Sequence, residues 1–173
     1  MEQREKFVFT WDLIGDSSEG RPNLGPFVPL EVYRLMQYAF REVIEEKLGV
    51  QDGEKLIYDA GVKAGIALYS HLLPKAENDQ EFITHLQNAL KELKIGIFRV
   101  EQGDLNSGKL TASVSEDLDC SGLPELGYGV CTYDEGFLAG VLEQYTGKAC
   151  IVKEIDCWCT GERTCRFSIE ILS

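Results

Sequence analysis

Basic residues are too few in this sequence to form a surface that binds nucleic acid or an anionic membrane. The 173 residues include 17 Lys and Arg against 29 Asp and Glu, which gives a formal net charge of -12. The Lys and Arg are scattered and form no cluster. Because phosphates and anionic lipids are bound by basic patches, we expect neither nucleic acid nor a membrane among the partners.

Long apolar runs are also missing. No stretch approaches the roughly 20 apolar residues that span a bilayer, and the first residues, MEQREKFVFTWDLIGDSSEG, lack the apolar core of a signal peptide. We therefore expect a cytoplasmic protein. Thiols stay reduced in that compartment, so the six cysteines are expected to be metal ligands, reactive thiols or buried small side chains rather than disulfides.

The usual signatures of catalysis are lacking as well. No glycine-rich dinucleotide fingerprint follows a strand-like segment, and no Ser-His-Asp or Cys-His arrangement has a plausible order. The chain has only two histidines. These absences disfavour a nicotinamide-dependent enzyme and a hydrolase.

The hydrophobic patterns that are present predict an α+β domain, with N-terminal helices packed on an antiparallel sheet. Residues 1–27 are rich in Gly and Pro and are predicted to form an irregular arm, and residues 28–173 form the domain. The predicted helices span residues 29–49, 53–73, 78–96 and 133–147. The predicted strands span residues 95–102, 108–116, 149–157 and 164–172.

The segment CWCTGERTCRF, residues 157–167, concentrates thiols beside a predicted hairpin turn at Gly161. The turn brings Cys157 and Cys165 together, which supplies two of the roughly four ligands that zinc requires. The remaining ligands could be Cys159 or Cys131, or the carboxylates of Glu154 and Asp156. Two further cysteines, Cys120 and Cys150, are available but are predicted to be simply buried. A buried or redox-active set of thiols is the alternative to a metal site.

Several spaced motifs in residues 28–172 resemble the 4-vinyl reductase-like domain family. They are the helices VPLEVYRLMQYAF and IYDAGVKAGIAL, a Cys that opens a helix containing GFLAG, and a closing hairpin of the form E-x-x-C, seven residues, C-x-F. The family also includes the sensor domains of phenol- and xylene-responsive activators. Its fold is related to that of the palmitate-binding TRAPP subunits, so the resemblance implies the ligand-binding fold of the NO-signalling and Golgi-transport type.

The resemblance implies a structural zinc ion bound by three Cys and one Glu. Carried over by position, these ligands are Cys131, Glu154, Cys157 and Cys165. In a regular strand Glu154 and Cys157 would point to opposite faces. The strand is therefore expected to end or bulge between them, unless Asp156 takes the role of Glu154.

The resemblance also implies a small hydrophobic or aromatic ligand, bound between the helices and the sheet. The residues predicted to line this cavity are apolar and come from the first hairpin and the last helix: Ile97, Phe98, Leu110, Ala112, Phe137 and Leu138. Gly136 and Gly140 are expected to leave the space open. The stretch NSGKLTASV lacks the aromatic residue with which the phenol sensors hold their ligand.

We therefore interpret the chain as a zinc-stabilised domain that binds or senses a small hydrophobic ligand. Long runs of apolar and small residues in the first helices, and the pairing of the sensor relatives, predict a homodimer. Because no output domain is recognised in the sequence, a separate effector protein is a possible partner. A reductase or tetrapyrrole-handling enzyme is the alternative interpretation, and a scaffold subunit is the third.

Overall fold

The computed structural model describes residues 5–172, and its elements follow the predicted order of helices first and sheet afterwards. After a short 3-10 turn the elements are α1 to α4, the hairpin β1–β2, α5, and the hairpin β3–β4. Their bounds are Trp11–Ile14 for the 3-10 turn, Ser17–Gly20 (α1), Leu30–Leu48 (α2), Val50–Leu72 (α3), Asp79–Glu92 (α4), Ile97–Asp104 (β1), Lys109–Ser115 (β2), Thr132–Thr146 (α5), Cys150–Asp156 (β3) and Cys165–Ile171 (β4). The predicted α+β class is confirmed.

The four strands form one antiparallel sheet in the order β1-β2-β4-β3. The strand β4 lies between β2 and β3, so Val114 of β2 pairs with Cys165 at the start of β4. Alternate residues of β4 face the core, because Cys165, Phe167 and Ile169 are all buried. Apolar side chains on this face of the sheet form the core with the helices.

The helix α5 is buried from Asp134 to Leu142 and packs against both α3 and β3. Its contact with α3 depends on two small residues of α3, Gly61 and Gly65. A Cβ atom at Gly61 would overlap the backbone oxygen of Tyr133, and one at Gly65 would overlap that of Phe137. The two helices therefore touch backbone to backbone at these positions.

The glycines of α5 serve the same contact from the other side. A Cβ atom at Gly136 would overlap the backbone oxygen of Tyr58, and one at Gly140 would overlap that of Val62. The expectation that Gly136 and Gly140 leave room for a cavity is wrong. The backbone of α3 occupies the space that the missing side chains leave.

The helix α2 is oriented with its polar side toward the rest of the protein. The side chains of Arg34 and Tyr38 hydrogen-bond to the loop after β2, and Arg41 hydrogen-bonds to Val130 before α5 and to Thr132 at its start. The exposed residues of α2 include large apolar side chains: Val32, Leu35, Met36, Phe40 and Val43. This is the reverse of the usual amphipathic surface helix, which buries its apolar side.

The segment before α2, predicted to be an irregular arm, contains the 3-10 turn and the single-turn helix α1. It also contacts α3, because the ring of Trp11 stacks on that of His71 with centroids 4.6 Å apart. Within residues 5–172, no helix is long and apolar enough to cross a bilayer.

Candidate metal centre

The loop between β3 and β4 presents Cys157 and Cys165 toward the core. Cys157 follows β3 directly and starts a tight turn, in which the amides of Thr160 and Glu162 both donate to its carbonyl oxygen. Gly161 closes the turn with a φ of 98°, a left-handed conformation that favours glycine. Cys165 then opens β4. The side chains of Cys157 and Cys165 are 1% and 0% exposed.

Two further cysteines complete a group of four buried sulfurs: Cys131, the residue before α5, and Cys120, in the loop after β2. The Sγ atoms of Cys120, Cys131, Cys157 and Cys165 all lie within 4.8 Å of one another. Three of these residues were predicted as zinc ligands. The fourth, Cys120, was predicted to be only a buried thiol, and the structure instead places it in the group.

The sulfur distances are close to those of a tetrahedral metal site. The Sγ atom of Cys131 lies 3.8 Å from that of Cys157 and 3.7 Å from that of Cys165. Four thiolates around zinc, at a Zn–S distance of about 2.3 Å, have S···S separations of about 3.8 Å. The Sγ atoms of Cys120 and Cys165 are 3.0 Å apart, so this pair must separate by less than about 1 Å to bind one ion.

Polar contacts fix the loop that carries Cys120. The carboxylate of Asp117 accepts hydrogen bonds from the amides of Asp119 and Cys120, both at 2.9 Å. From α2, Arg34 donates to the carbonyl oxygen of Leu118 at 3.0 Å. Because β2 pairs with β4, the end of β2 lies beside Cys165, and this turn directs Cys120 toward it.

Glu154 lies beside the four sulfurs rather than among them. One oxygen of its carboxylate, Oε2, is 3.5 Å from the amide nitrogen of Cys131, and the other, Oε1, is buried without a hydrogen-bond donor among the described residues. Burial raises the pKa of Glu154 to about 8. The predicted irregularity in the strand is confirmed, because the pairing of β3 with β4 shifts register between Glu154 and Asp156. The shift lets Glu154 and Cys157 approach the same place.

The remaining candidates from the sequence lie outside the group. Asp156 accepts a hydrogen bond from Arg166, and Cys150 lies at the other end of β3. Cys159 is fully buried inside the turn but is not among the four clustered sulfurs. Lys153, also on β3, pairs with Glu135 at 2.9 Å.

Interactions among the thiols shift the pKa values of Cys157 and Cys131 in opposite directions. Hydrogen bonds from the thiols of Cys120, Cys131 and Cys165 lower the pKa of Cys157, while the interactions of Cys131 with Cys120 and Cys157 raise the pKa of Cys131. The group thus favours one thiolate stabilised by its neighbours. A divalent cation would allow all four to ionise, since the cation stabilises each thiolate directly.

The six residues predicted to line a ligand cavity are packed mainly in the core. Phe98, Ala112, Phe137 and Leu138 belong to the hydrophobic core, and Ile97 is half-buried. Leu110 is also buried but borders an open cavity of about 440 Å³ between α4 and the first hairpin. Polar residues of that cavity include Asp79, Gln80, Gln87, Arg99 and Asp104.

A second cavity, of about 310 Å³, lies between α2, α3 and the start of α5. Its apolar walls come from Met36, Phe40, Ile44, Leu56, Ile57, Ala60 and Val130. Its polar groups belong to Tyr33, Gln37, Arg41 and Tyr133. Val130 directly precedes Cys131, so this cavity adjoins the sulfur group. The sequence analysis missed it because its walls come from two helices whose relative position no local pattern defines.

The sequence model of the V4R domain matches residues 110–171, which include all four clustered cysteines. The uncharacterised protein MJ1642 of Methanocaldococcus jannaschii is 30% identical over 149 residues, which cover 86% of this chain and 81% of that protein.

Solved structures share the fold at low sequence identity. A vinyl-4-reductase family protein of Methanocaldococcus jannaschii has a TM-score of 0.64 and 19% identity, over 100% of this chain and 99% of that one. The phenol-responsive sensory domain of the transcription activator PoxR, solved with phenol, has a TM-score of 0.63 and 13% identity, over 84% and 76%. A trafficking protein particle complex subunit 3 from Naegleria fowleri, covalently bound to palmitic acid, has a TM-score of 0.62 and 12% identity, over 84% and 98%.

Proposed function

Since this chain belongs to the V4R-domain family, we propose that it is a zinc-stabilised domain that binds a small hydrophobic ligand and reports the bound state to another protein. The fold, shared with a sensory domain, supports a ligand-binding role. The metal, the pocket and the mode of signalling are argued below from this chain's own residues.

The zinc ion of this proposal is held by Cys120, Cys131, Cys157 and Cys165. Cys120 takes the place that the family resemblance gave to Glu154, because its sulfur lies in the buried group and the carboxylate lies beside it. A zinc ion with four protein ligands has no open position for a substrate, so its role is structural. The ion would cross-link the loop after β2, the start of α5 and the β3–β4 turn.

The cavity between α2 and α3 is the observation that carries the ligand-binding proposal. Its volume of about 310 Å³ is at the lower end of the range for small-molecule sites, and its lining is mostly apolar with a few polar groups at defined positions. Such a lining suits a compact apolar molecule with one polar group, which Gln37 or Arg41 would bind.

The helix α2 connects this cavity to the metal centre. Arg41 lines the cavity and also donates to the carbonyl oxygen of Val130, next to Cys131, at 3.1 Å. Arg34 and Tyr38 hold the loop of Cys120. A ligand that moves α2 would therefore act on a helix that is anchored at two of the three metal-carrying segments. An effector protein would recognise the new position of α2.

The exposed apolar side of α2 supports the proposed homodimer. Leu35 is 72% exposed and Phe40 is 62% exposed. Soluble monomers rarely leave such a contiguous apolar surface uncovered. A second copy is the simplest partner, because a two-fold contact between two α2 helices buries the same apolar surface on both chains.

A thermal-shift assay with phenol, palmitate and protoporphyrin IX tests the ligand proposal. At least one probe is expected to raise the melting temperature in a concentration-dependent manner, because a ligand that binds only the folded state stabilises it. Ala60→Trp fills the cavity and should abolish the shift. Lys55→Trp is the control, since Lys55 is an exposed residue of α3 outside the cavity lining.

The control also decides how a failure is interpreted. If Ala60→Trp and Lys55→Trp lose the shift equally, the ligand binds elsewhere. If none of the three probes stabilises the wild-type chain and none is retained in native mass spectrometry, the ligand proposal is contradicted and the scaffold role is favoured.

A further inference from the structure

Three buried carboxyl groups lie next to the four-sulfur group and are not explained by a single zinc ion. Asp117 and Asp119 are each 2% exposed, and Asp134 is 7% exposed. Asp117 and Asp119 belong to the loop that carries Cys120, and Asp134 lies in the first turn of α5, three residues after Cys131. Burial of charged groups is unfavourable unless each has a partner.

Two of these carboxyl groups have well-defined hydrogen-bond donors. Asp119 accepts hydrogen bonds from the hydroxyl of Tyr33 at 2.7 Å and the side-chain amide of Gln37 at 2.6 Å. Asp117 Oδ1 accepts from two backbone amides. These contacts reach both side-chain oxygens of Asp119, whereas both of the contacts of Asp117 are made to Oδ1.

Asp134 differs from the other two. Its Oδ2 atom is buried and receives no hydrogen bond from any donor in residues 5–172. Ligand atoms of Asp117, Cys131 and Asp134 all lie within 4.8 Å of one another. Asp134 therefore has an unpaired buried oxygen and also belongs to a second group of three ligand residues, which shares Cys131 with the four-sulfur group.

The electrostatics of this region favour a further cation. Four thiolates around one Zn²⁺ retain a charge of about -2, so the first ion does not neutralise the neighbouring carboxylates. A second divalent ion would stabilise the charged form of Asp117 and Asp134.

We propose that Asp117, Cys131 and Asp134 bind a second divalent transition-metal ion, with the Cys131 thiolate bridging it to the ion in the four-sulfur group. The inference rests on the zinc site proposed above, because the two sites share Cys131. One thiolate and two carboxylates suit an ion such as Zn²⁺, Co²⁺ or Fe²⁺, whereas Mg²⁺ and Ca²⁺ take oxygen ligands alone. With three protein ligands, the second ion keeps a position for water, as ions in non-structural sites do.

Metal counting on the intact chain tests this arrangement. Protein from zinc-supplemented cells, dialysed against metal-free buffer, is expected to contain two zinc ions per chain by elemental analysis. Asp134→Asn and Asp117→Asn should each reduce the count to one. Glu135→Gln should retain two, since Glu135 is an equally buried acid in the same turn of α5 but lies outside the three-ligand group.

Any other number of zinc ions per chain would contradict part of the proposal. One ion in the wild type contradicts the second site and leaves the four-sulfur site intact, whereas none contradicts both. Two ions that persist in both Asp variants show that the second ion lies elsewhere. If both variants fail to fold, X-ray absorption on the wild type decides, because the proposal predicts metal–metal scattering at about 3.5–4 Å and an isolated ion shows none.

Discussion

The Sγ atoms of Cys120 and Cys165 lie 3.0 Å apart, although 45 positions separate the two residues in the sequence. Neither residue is near the other along the chain, and the pairing of β2 with β4 brings them together. This contact adds a fourth sulfur to the three that the sequence had suggested as ligands. It also predicts that Cys120 is needed for zinc binding, whereas the sequence alone predicts a thiol that is simply buried.

Substitution of Cys120 by Ser should cost several kcal/mol of unfolding free energy and most of the bound zinc, because metal binding and folding are coupled. Cys150→Ser is the matched control, since Cys150 is also buried but lies at the far end of β3. Denaturant unfolding together with zinc analysis provides both measurements. Equal small losses in the two variants would remove Cys120 from the metal site.

Replacement of Glu154 by Gln separates the two possible ligand sets. If four cysteines hold the ion, Glu154→Gln keeps the zinc of the four-sulfur site. If Glu154 is a ligand in place of Cys120, the variant loses zinc while Cys120→Ser retains it. Elemental analysis of the two proteins, purified side by side, decides between the sets.

Close packing of α3 on α5 should not tolerate a methyl group at Gly61. Gly61→Ala is expected to destabilise the fold by about 1–3 kcal/mol or more, because the new Cβ atom would overlap the backbone of Tyr133. Gly20→Ala is the control, since no non-neighbouring atom of residues 5–172 lies within 4 Å of a Cβ atom there. Thermal unfolding of both variants measures the difference, and equal melting temperatures would refute the close contact.

The proposed homodimer predicts that a charge on the exposed side of α2 produces a monomer. Leu35→Glu would place a carboxylate in the apolar contact, and light scattering should then return the mass of a single 19.4 kDa chain. Ile151→Glu is the control, because Ile151 is 51% exposed on the edge strand β3. A wild-type chain that is already monomeric at micromolar concentrations would contradict the dimer.

Local patterns in the sequence predicted the elements of the fold and part of the site. Hydrophobic periodicity indicated the helices and the sheet, and the Gly161 turn placed Cys157 beside Cys165. The conflict between Glu154 and Cys157 on a regular strand predicted the irregularity that β3 contains. Each of these inferences depended on neighbours along the chain.

The features that the sequence analysis missed depend on how distant elements pack. Cys120 approaches Cys165 only because β2 lies beside β4. Gly136 and Gly140 are covered by α3, which no pattern within α5 reveals. The apolar residues of α2 lie outward because its polar residues hydrogen-bond to two distant segments.

Native mass spectrometry of the purified chain, compared with a denaturing spectrum of the same sample, tests the central claim most directly. We predict that the native protein carries at least one zinc ion per chain, and that this mass excess disappears on denaturation because the ligands come from three separate segments. A native mass equal to that of the bare polypeptide, in protein prepared without chelator, would contradict the metal centre on which this account depends.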